Sequence, residues 1–156
     1  MEIEKIKKLR QKIRILERES GNVFERPEDC CGLTMAQCHT LLEVGDRGPI
    51  SLIDLALSLG LDASTLSRSV QGLVLLGQVD RQANEKDRRY VTLSLTEAGR
   101  KAYGEIEKRY NAYFERILGL LPDERRTDIM NDIGEFADAV RRLNDELGCC
   151  GRGKKS

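Results

Sequence analysis

A short basic stretch, residues 85–99, carries the clearest chemical pattern in this chain of 156 residues. Lys86, Arg88 and Arg89 lie in a polar segment, and residues 91–95 then alternate apolar with polar side chains. Such alternation predicts a β-strand with one buried face. A cationic loop on a β-hairpin is suited to contact nucleic-acid phosphates and to enter a narrow groove. The stretch therefore indicates nucleic-acid binding.

Two strands are predicted to position this loop, one at 78–83 and one at 90–95, with 84–89 between them. Thr96 is predicted to begin a long helix that ends at Leu121, just before Pro122. A second long helix is predicted for 123–147, because its apolar side chains recur with helical spacing, and Gly148 is expected to end it.

Upstream of the hairpin, two short helices are predicted with a tight turn between them. Ser51 begins the first helix, and Gly60 fits the left-handed position that ends it. Asp62 then caps the next helix only two residues later. This is the arrangement of a helix-turn-helix.

The helix that follows Asp62 divides by face. Four apolar side chains form the stripe expected to be buried, namely Leu66, Val70, Leu73 and Val74. The opposite face carries five side chains with hydrogen-bonding groups: Ser64, Thr65, Ser67, Arg68 and Gln71. A recognition helix presents such side chains to base edges from its first turns. From this helix alone, an ordinary solvent-exposed polar face is an equally good explanation.

Two further helices are predicted near the start of the chain. An amphipathic helix covers 3–20, and a loop follows it over 19–32. Thr34 and Gln37 match a capping box, which begins a helix that is expected to stop at Gly45. The long helices at the two ends expose more apolar surface than a small domain can cover, and a second copy of the chain would cover it.

The net charge of zero conceals an uneven distribution. Residues 81–101 contain six basic and three acidic side chains, whereas residues 102–147 contain seven basic and eleven acidic ones. A local positive surface is sufficient for nucleic-acid binding. No run of about 18 apolar residues is present, and the N-terminus has no apolar signal-peptide core, so a cytoplasmic location without membrane contact is expected.

The order of these elements and two local sequences resemble the MarR family of transcriptional regulators. One is Asp87-Arg88-Arg89 with the following Leu95-Thr96-Glu97-Ala98-Gly99, which is similar to the family's D-x-R…LTxxG signature. The other is Ser64-Thr65-Leu66-Ser67-Arg68, which is similar to its recognition helix. One departure from the family pattern is Gly72, with Gln71 before it, because an acidic or basic residue is commoner there in relatives.

The resemblance implies a mainly α fold with a minor β part, in one unit of residues 1–156. A winged helix-turn-helix lobe would cover 34–100, and helices at 1–20 and 101–147 would form a dimerisation domain. The partner would be double-stranded DNA with a pseudo-palindromic operator, bound by a homodimer that acts as a repressor and is released by a small effector or by thiol chemistry.

Residue roles follow by position from the same resemblance. Arg89 would enter the minor groove, Asp87 would brace Arg89 by an ion pair, and Arg88 would lie near phosphate. The five polar residues of the recognition helix, Ser64, Thr65, Ser67, Arg68 and Gln71, would face the major groove.

The five cysteines are a high count for a reducing compartment: Cys30, Cys31, Cys38, Cys149 and Cys150. Clustered thiolates bind zinc or trivalent arsenic, so a metal or metalloid sensor is one hypothesis, although no cofactor is required. Packing is the simpler explanation for Cys38, and the terminal pair can equally have no role.

Enzymatic activity is not expected, because the chain has no glycine-rich phosphate loop, no C-x-x-C motif and no acid–base cluster. Two alternatives to a DNA-binding regulator remain: a thiol-dependent redox or metal-handling enzyme, and a winged-helix module that binds proteins instead of DNA.

Overall fold

The computed structural model describes residues 2–24, 32–83 and 91–151 of the chain. Within these ranges it is mainly helical with one small sheet, which confirms the predicted fold class. The elements in chain order are α1 (Ile3–Phe24), α2 (Met35–Arg47), β1 (Ile50–Ser51), α3 (Leu52–Leu59), α4 (Ala63–Leu75), β2 (Val79–Ala83), β3 (Val91–Leu95), α5 (Glu97–Gly119), a 3₁₀ turn (Asp123–Arg125) and α6 (Arg126–Gly151).

The sheet is antiparallel, with the strand order β1-β3-β2. The predicted hairpin is present, with β2 pairing β3 from Val79↔Leu95 to Ala83↔Val91. The sequence did not predict β1, which pairs Ile50 with Leu93 on the other side of β3. A strand of two residues is too short to show an alternating pattern.

Contacts divide the chain into two compact units, Met1–Arg109 and Tyr110–Ser156, and the boundary lies within α5. The core of the first unit is formed by apolar side chains from α2, α3, α4, β3 and α5. Its largest fully buried members are Leu41, Leu55, Leu66, Leu73, Leu93 and Ile106. These residues fix the helix-turn-helix, the sheet and the first turns of α5 in one structure.

Helix α2 begins as predicted but ends later. Thr34 Oγ1 accepts from the Gln37 amide at 3.3 Å, and the Gln37 side chain accepts from the Thr34 amide at 2.9 Å. The predicted stop at Gly45 is wrong, because the helix continues to Arg47 and Gly48, at φ 72°, is the C-cap. Gly45 lies inside the helix and contacts the ring of Tyr103.

Two other helix ends also differ from prediction. Helix α1 extends to Phe24, so residues 19–24 are helical and not part of a loop, and residues 25–31 lie outside the described residues. Helix α6 passes through Gly148 and ends at Gly151. A glycine within a helix costs only about 1 kcal/mol relative to alanine, so it stops a helix only where the backbone also turns.

In the second unit, Arg126 stabilises the turn between α5 and α6 by a hydrogen bond and an ion pair. Its Nε donates to the Leu118 carbonyl at 2.7 Å, and its Nη2 lies 2.6 Å from the Asp123 carboxylate. In the described ranges, none of the helices combines the length and the apolar character that crossing a membrane requires.

Candidate nucleic-acid interface

The turn between α3 and α4 follows the predicted capping chemistry. Ser51 Oγ accepts from the Asp54 amide at 3.1 Å and begins α3. Gly60 ends it in the left-handed conformation, at φ 62° and ψ 26°, and the Leu61 amide donates back to the Ala56 carbonyl at 3.1 Å. Only Gly60 and Leu61 separate α3 from the Asp62 cap, so the two helices are held in a tight helix-turn-helix.

The buried face of α4 fixes which side chains lie outside. Leu66, Val70 and Leu73 are fully buried in the core. The five polar residues that were predicted to face DNA lie away from this stripe: Ser64, Ser67, Arg68 and Gln71 are exposed, and Thr65 is half-buried. The recognition-helix candidate therefore presents a continuous polar surface.

Asp62 organises the first turn of this surface. Its carboxylate accepts from the Ser64 and Thr65 amides at 3.0 and 2.9 Å, and from the hydroxyls of the same two residues. The Ser64 hydroxyl, followed by the Thr65 hydroxyl and amide, holds the pKa of Asp62 well below its usual range. Because both hydroxyl protons point at this carboxylate, the remaining lone pairs of the two oxygens are the groups that can accept a hydrogen bond from a ligand.

Arg68 lies one turn further along the same face. Its Nε donates to the Ser64 carbonyl at 3.3 Å, while the side chain stays exposed. This contact directs the guanidinium along the first turn of α4. A guanidinium held in this way can donate two parallel hydrogen bonds to a base edge or to a phosphate.

The predicted wing is the β-hairpin formed by β2, the loop of residues 84–89 and β3, and the two strands form its stem. Arg81 and Gln82 of β2 are exposed to solvent. The predicted wing loop, with Asp87, Arg88 and Arg89, lies outside the described residues. The roles that the family resemblance gives to these three residues stay predictions.

Three of the five cysteines lie among the described residues. Cys38 is fully buried in α2, and Leu33, which directly precedes the Thr34 cap, is 5% exposed. Cys149 and Cys150 belong to the last turns of α6 and not to a tail beyond it, whereas Cys30 and Cys31 lie outside the described residues. Among the described residues, no group of three or more His, Cys, Asp or Glu side chains could hold a metal ion.

Gly72 is a residue of this region whose role the sequence alone did not reveal. A Cβ on Gly72 would lie 2.2 Å from Nε2 of Gln37, the capping-box residue of α2. The glycine therefore permits close packing of α4 against the start of α2. A side chain at this position would have to displace the end of the Gln37 side chain, which accepts from the Thr34 amide in the α2 cap.

Comparison with known proteins bears on this architecture. A model of the MarR family matches residues 32–89, which span α2 to the predicted wing loop. The MarR transcriptional regulator from Methanosarcina mazei is 27% identical, with a TM-score of 0.75 over 88% of this chain and 99% of that one. The resemblance to the MarR family is confirmed.

Three further proteins are similar to this chain in fold or in sequence. FabT from Streptococcus pneumoniae, solved in complex with DNA, has the same fold, with a TM-score of 0.71 and 20% identity over 91% of this chain and 99% of that one. The transcriptional regulator BilQ of Clostridium symbiosum is 24% identical over 98 residues, 63% of this chain and 68% of that protein. The repressor MdtR of Bacillus subtilis is 26% identical over 109 residues, 70% of each chain. BilQ and MdtR are transcription regulators, a class of protein that is not enzymatic.

Proposed function

We propose that this protein is a homodimeric transcriptional repressor that binds a pseudo-palindromic site on duplex DNA and releases it in response to a small effector or to thiol chemistry. The observation that carries the proposal is the polar face of α4. Ser64, Ser67, Arg68 and Gln71 are exposed together on the second helix of a helix-turn-helix, where a recognition helix contacts base edges.

DNA as the partner is supported by the positions of the cationic residues. Arg68 and Arg81 are exposed on α4 and β2. The predicted wing adds Arg88 and Arg89, which precede β3 in the sequence. Neutralising phosphates with such side chains supplies most of the affinity, while contacts of α4 with the bases supply sequence preference. The structural relative FabT was solved in complex with DNA.

A homodimer is supported by apolar side chains that remain exposed on two helices. On α1, the residues Ile3, Ile6, Leu9 and Leu16 are between 41% and 84% exposed. On α6, the residues Met130, Ile133, Phe136, Val140, Leu143 and Leu147 are between 43% and 62% exposed. Apolar stripes of this length indicate an interface, and a second copy related by a two-fold axis is the commonest way to cover one.

The proposal also states that the protein represses transcription and that an effector releases it from DNA. One relative, MdtR, is named a repressor, and a structural relative, BpsR of Bordetella bronchiseptica, is described as regulated in DNA binding by 6-hydroxynicotinic acid. In this chain the repeated Cys-Cys-Gly sequence at 30–32 and 149–151 supports a thiol switch that binds arsenite or zinc.

The test is binding of the purified protein to fluorescent DNA fragments from its own promoter region, at several salt concentrations. We expect a dimer by light scattering, a protected site with half-sites about 34 Å apart, and a log–log salt slope of about −0.9 for each phosphate neutralised. A monomer at micromolar concentration that shifts no promoter fragment would refute the proposal. Effector release is tested separately, on the DNA-bound complex.

A further inference from the structure

The chain that leaves α4 and the chain that enters α5 meet at four residues, Gly77, Gln78, Thr96 and Gly99, here called the α4–α5 junction. Thr96 Oγ1 donates to the Gly77 carbonyl at 2.6 Å and accepts from the Gly99 amide at 3.0 Å. The Thr96 amide donates to the Gln78 carbonyl at 3.1 Å. One threonine therefore caps α5 and also binds the exit of α4.

No side chain fits at the centre of this junction. A Cβ on Gly99 would lie 1.9 Å from the Gln78 carbonyl oxygen and 2.9 Å from its carbon, so the two backbones are in direct contact. On the α4 side, Gly77 has φ 67°, and the Gln78 amide donates to the Leu73 carbonyl at 2.9 Å. The direction in which the chain leaves α4 is fixed at the same place.

The junction is also the base of the wing. Gln78 immediately precedes β2 and Thr96 immediately follows β3, and the adjacent pair Val79↔Leu95 is the first of the hairpin. Arg100 adds a further contact, since its Nη1 donates to the Leu95 carbonyl at 2.9 Å. Both strands are therefore tied at one end to the exit of α4 and to the first turn of α5.

We propose that Thr96 is a positioning residue for DNA binding, which fixes the wing relative to α4 so that both reach one duplex together. This role rests on the proposed function. When two binding elements are held at the correct separation, the second contact forms at a high effective concentration, and this gain is lost when the separation varies. Without the Thr96 hydroxyl, the bond to the Gly77 carbonyl and the cap on the Gly99 amide are lost, and the backbone bond from the Thr96 amide to Gln78 remains. Helix α4 itself keeps its caps and its buried face.

The test is a double-mutant cycle on operator binding. Thr96→Val keeps the shape of the side chain and removes the hydroxyl, and Thr96→Ser keeps the hydroxyl. Each is combined with Arg89→Ala on the predicted wing and, as a matched control, with Arg68→Ala on α4. Binding is measured at a temperature at which circular dichroism shows every variant folded and light scattering shows it dimeric.

We expect Thr96→Val to weaken binding roughly tenfold and Thr96→Ser to restore it. In the Thr96→Val protein, Arg89→Ala should cause little further loss, whereas Arg68→Ala should cost as much as it does in the parent. A threonine that only stabilises the fold would leave both arginine effects unchanged.

Three results would overturn the positioning role. These are parent-like binding by Thr96→Val, a full Arg89→Ala loss in the Thr96→Val background, and a reduced Arg68→Ala loss in that background. A parent protein that binds no DNA is a different result, because it refutes the proposed function itself and removes the basis of this role with it.

Discussion

The ring of Tyr103 lies directly against Gly45, so that a Cβ on Gly45 would be 2.3 Å from Cδ2 and 2.4 Å from Cε2 of the tyrosine. The Tyr103 hydroxyl also donates to the carboxylate of the next residue, Asp46, at 2.6 Å. Helix α2 is thus bound to α5 by a backbone–ring contact and by a hydrogen bond at adjacent positions. Both contacts lie within the first unit and hold α5 beside the helix-turn-helix.

The first prediction concerns this close approach. Gly45→Ala should lower the free energy of unfolding by roughly 1 kcal/mol, because displacing the ring costs about 1–3 kcal/mol and alanine recovers at most about 1 kcal/mol in helix propensity. The measurement is urea unfolding of parent and variant. Gly104→Ala is the matched control: it lies in α5 with no atom within 4 Å of a new Cβ, and should be neutral or stabilising. Equal stability of Gly45→Ala and parent would contradict the packing argument.

The second prediction concerns the Tyr103 hydroxyl. The hydrogen bond to Asp46, together with burial and the charges of Asp46 and Glu107, raises the pKa of Tyr103 to about 12 from the ordinary 10.0. Because its pKa is raised in the folded state, the protonated Tyr103 hydroxyl contributes to the free energy of unfolding. This contribution is complete below pH 10 and is lost as the pH rises toward 12. The stability difference between parent and Tyr103→Phe should therefore be constant below pH 10 and shrink above it.

An ultraviolet titration of the phenolates provides the readout for this hydroxyl. The parent should show a phenolate transition at high pH, near the raised pKa of about 12, and this transition should be absent from Tyr103→Phe. Asp46→Asn should keep the transition and move it to lower pH. An unchanged late transition in Tyr103→Phe would assign it to another tyrosine.

The capping chemistry was predictable from the sequence because each cap is made by residues two to five apart. The Thr34–Gln37 box, the Ser51 cap, the left-handed Gly60 and the Asp62 cap all follow local rules. The face of α4 was equally predictable, because its apolar spacing determines which side enters the core.

Features that depend on distant residues were not predictable in this way. The local pattern predicts a helix stop at Gly45, whereas this glycine accommodates the ring of Tyr103, which lies far along the chain. In the same way, Gly99 is required by the backbone of Gln78, and Gly72 lies against the side chain of Gln37. A sequence shows a glycine but does not show whether its backbone turns or its missing side chain leaves space for a neighbour.

The third prediction is a pH dependence at the start of α4. The hydroxyls and amides of Ser64 and Thr65 lower the pKa of Asp62 from its ordinary value of 3.8. A lowered folded-state pKa contributes stability above pH 3.8 that is lost as the pH falls below it. Asp62→Asn keeps a capping side chain without the charge, so its melting temperature should be lower than the parent's at neutral pH and approach it in acid. A difference that does not change with pH would show that this carboxylate has no special interaction in the fold.

The fourth prediction distinguishes contacts of α4 with base edges from contacts of the wing with the minor groove. Arg68→Ala should weaken operator binding by roughly 1–3 kcal/mol and relax the sequence preference, because an arginine on the recognition helix contacts base edges. Arg89→Ala should weaken binding with little change in sequence preference, because a minor-groove arginine recognises groove width and potential. Selection of bound sequences from a random library measures both effects. Parent-like binding by both variants would show that neither α4 nor the wing contacts DNA as proposed.

The last prediction concerns the thiols. A variant with Cys30, Cys31, Cys149 and Cys150 changed to serine should bind the operator like the parent but keep it bound when arsenite is added. Three thiolates bind one trivalent arsenic, and each adjacent pair supplies two.

The physical requirement for such a switch is a difference in ligand affinity between the DNA-binding and the non-binding state. Each tenfold loss of DNA affinity needs about 1.4 kcal/mol of this difference, which metal–thiolate bonds readily supply.

Cys38→Ala is the matched control. Cys38 is fully buried in α2, so the change should lower the free energy of unfolding by about 1 kcal/mol and leave arsenite release intact. Zinc and peroxide are tested in parallel on the same DNA complex. If the four-serine protein still releases DNA on addition of the agent that releases the parent, these cysteines are not the switch and a non-thiol effector must be sought.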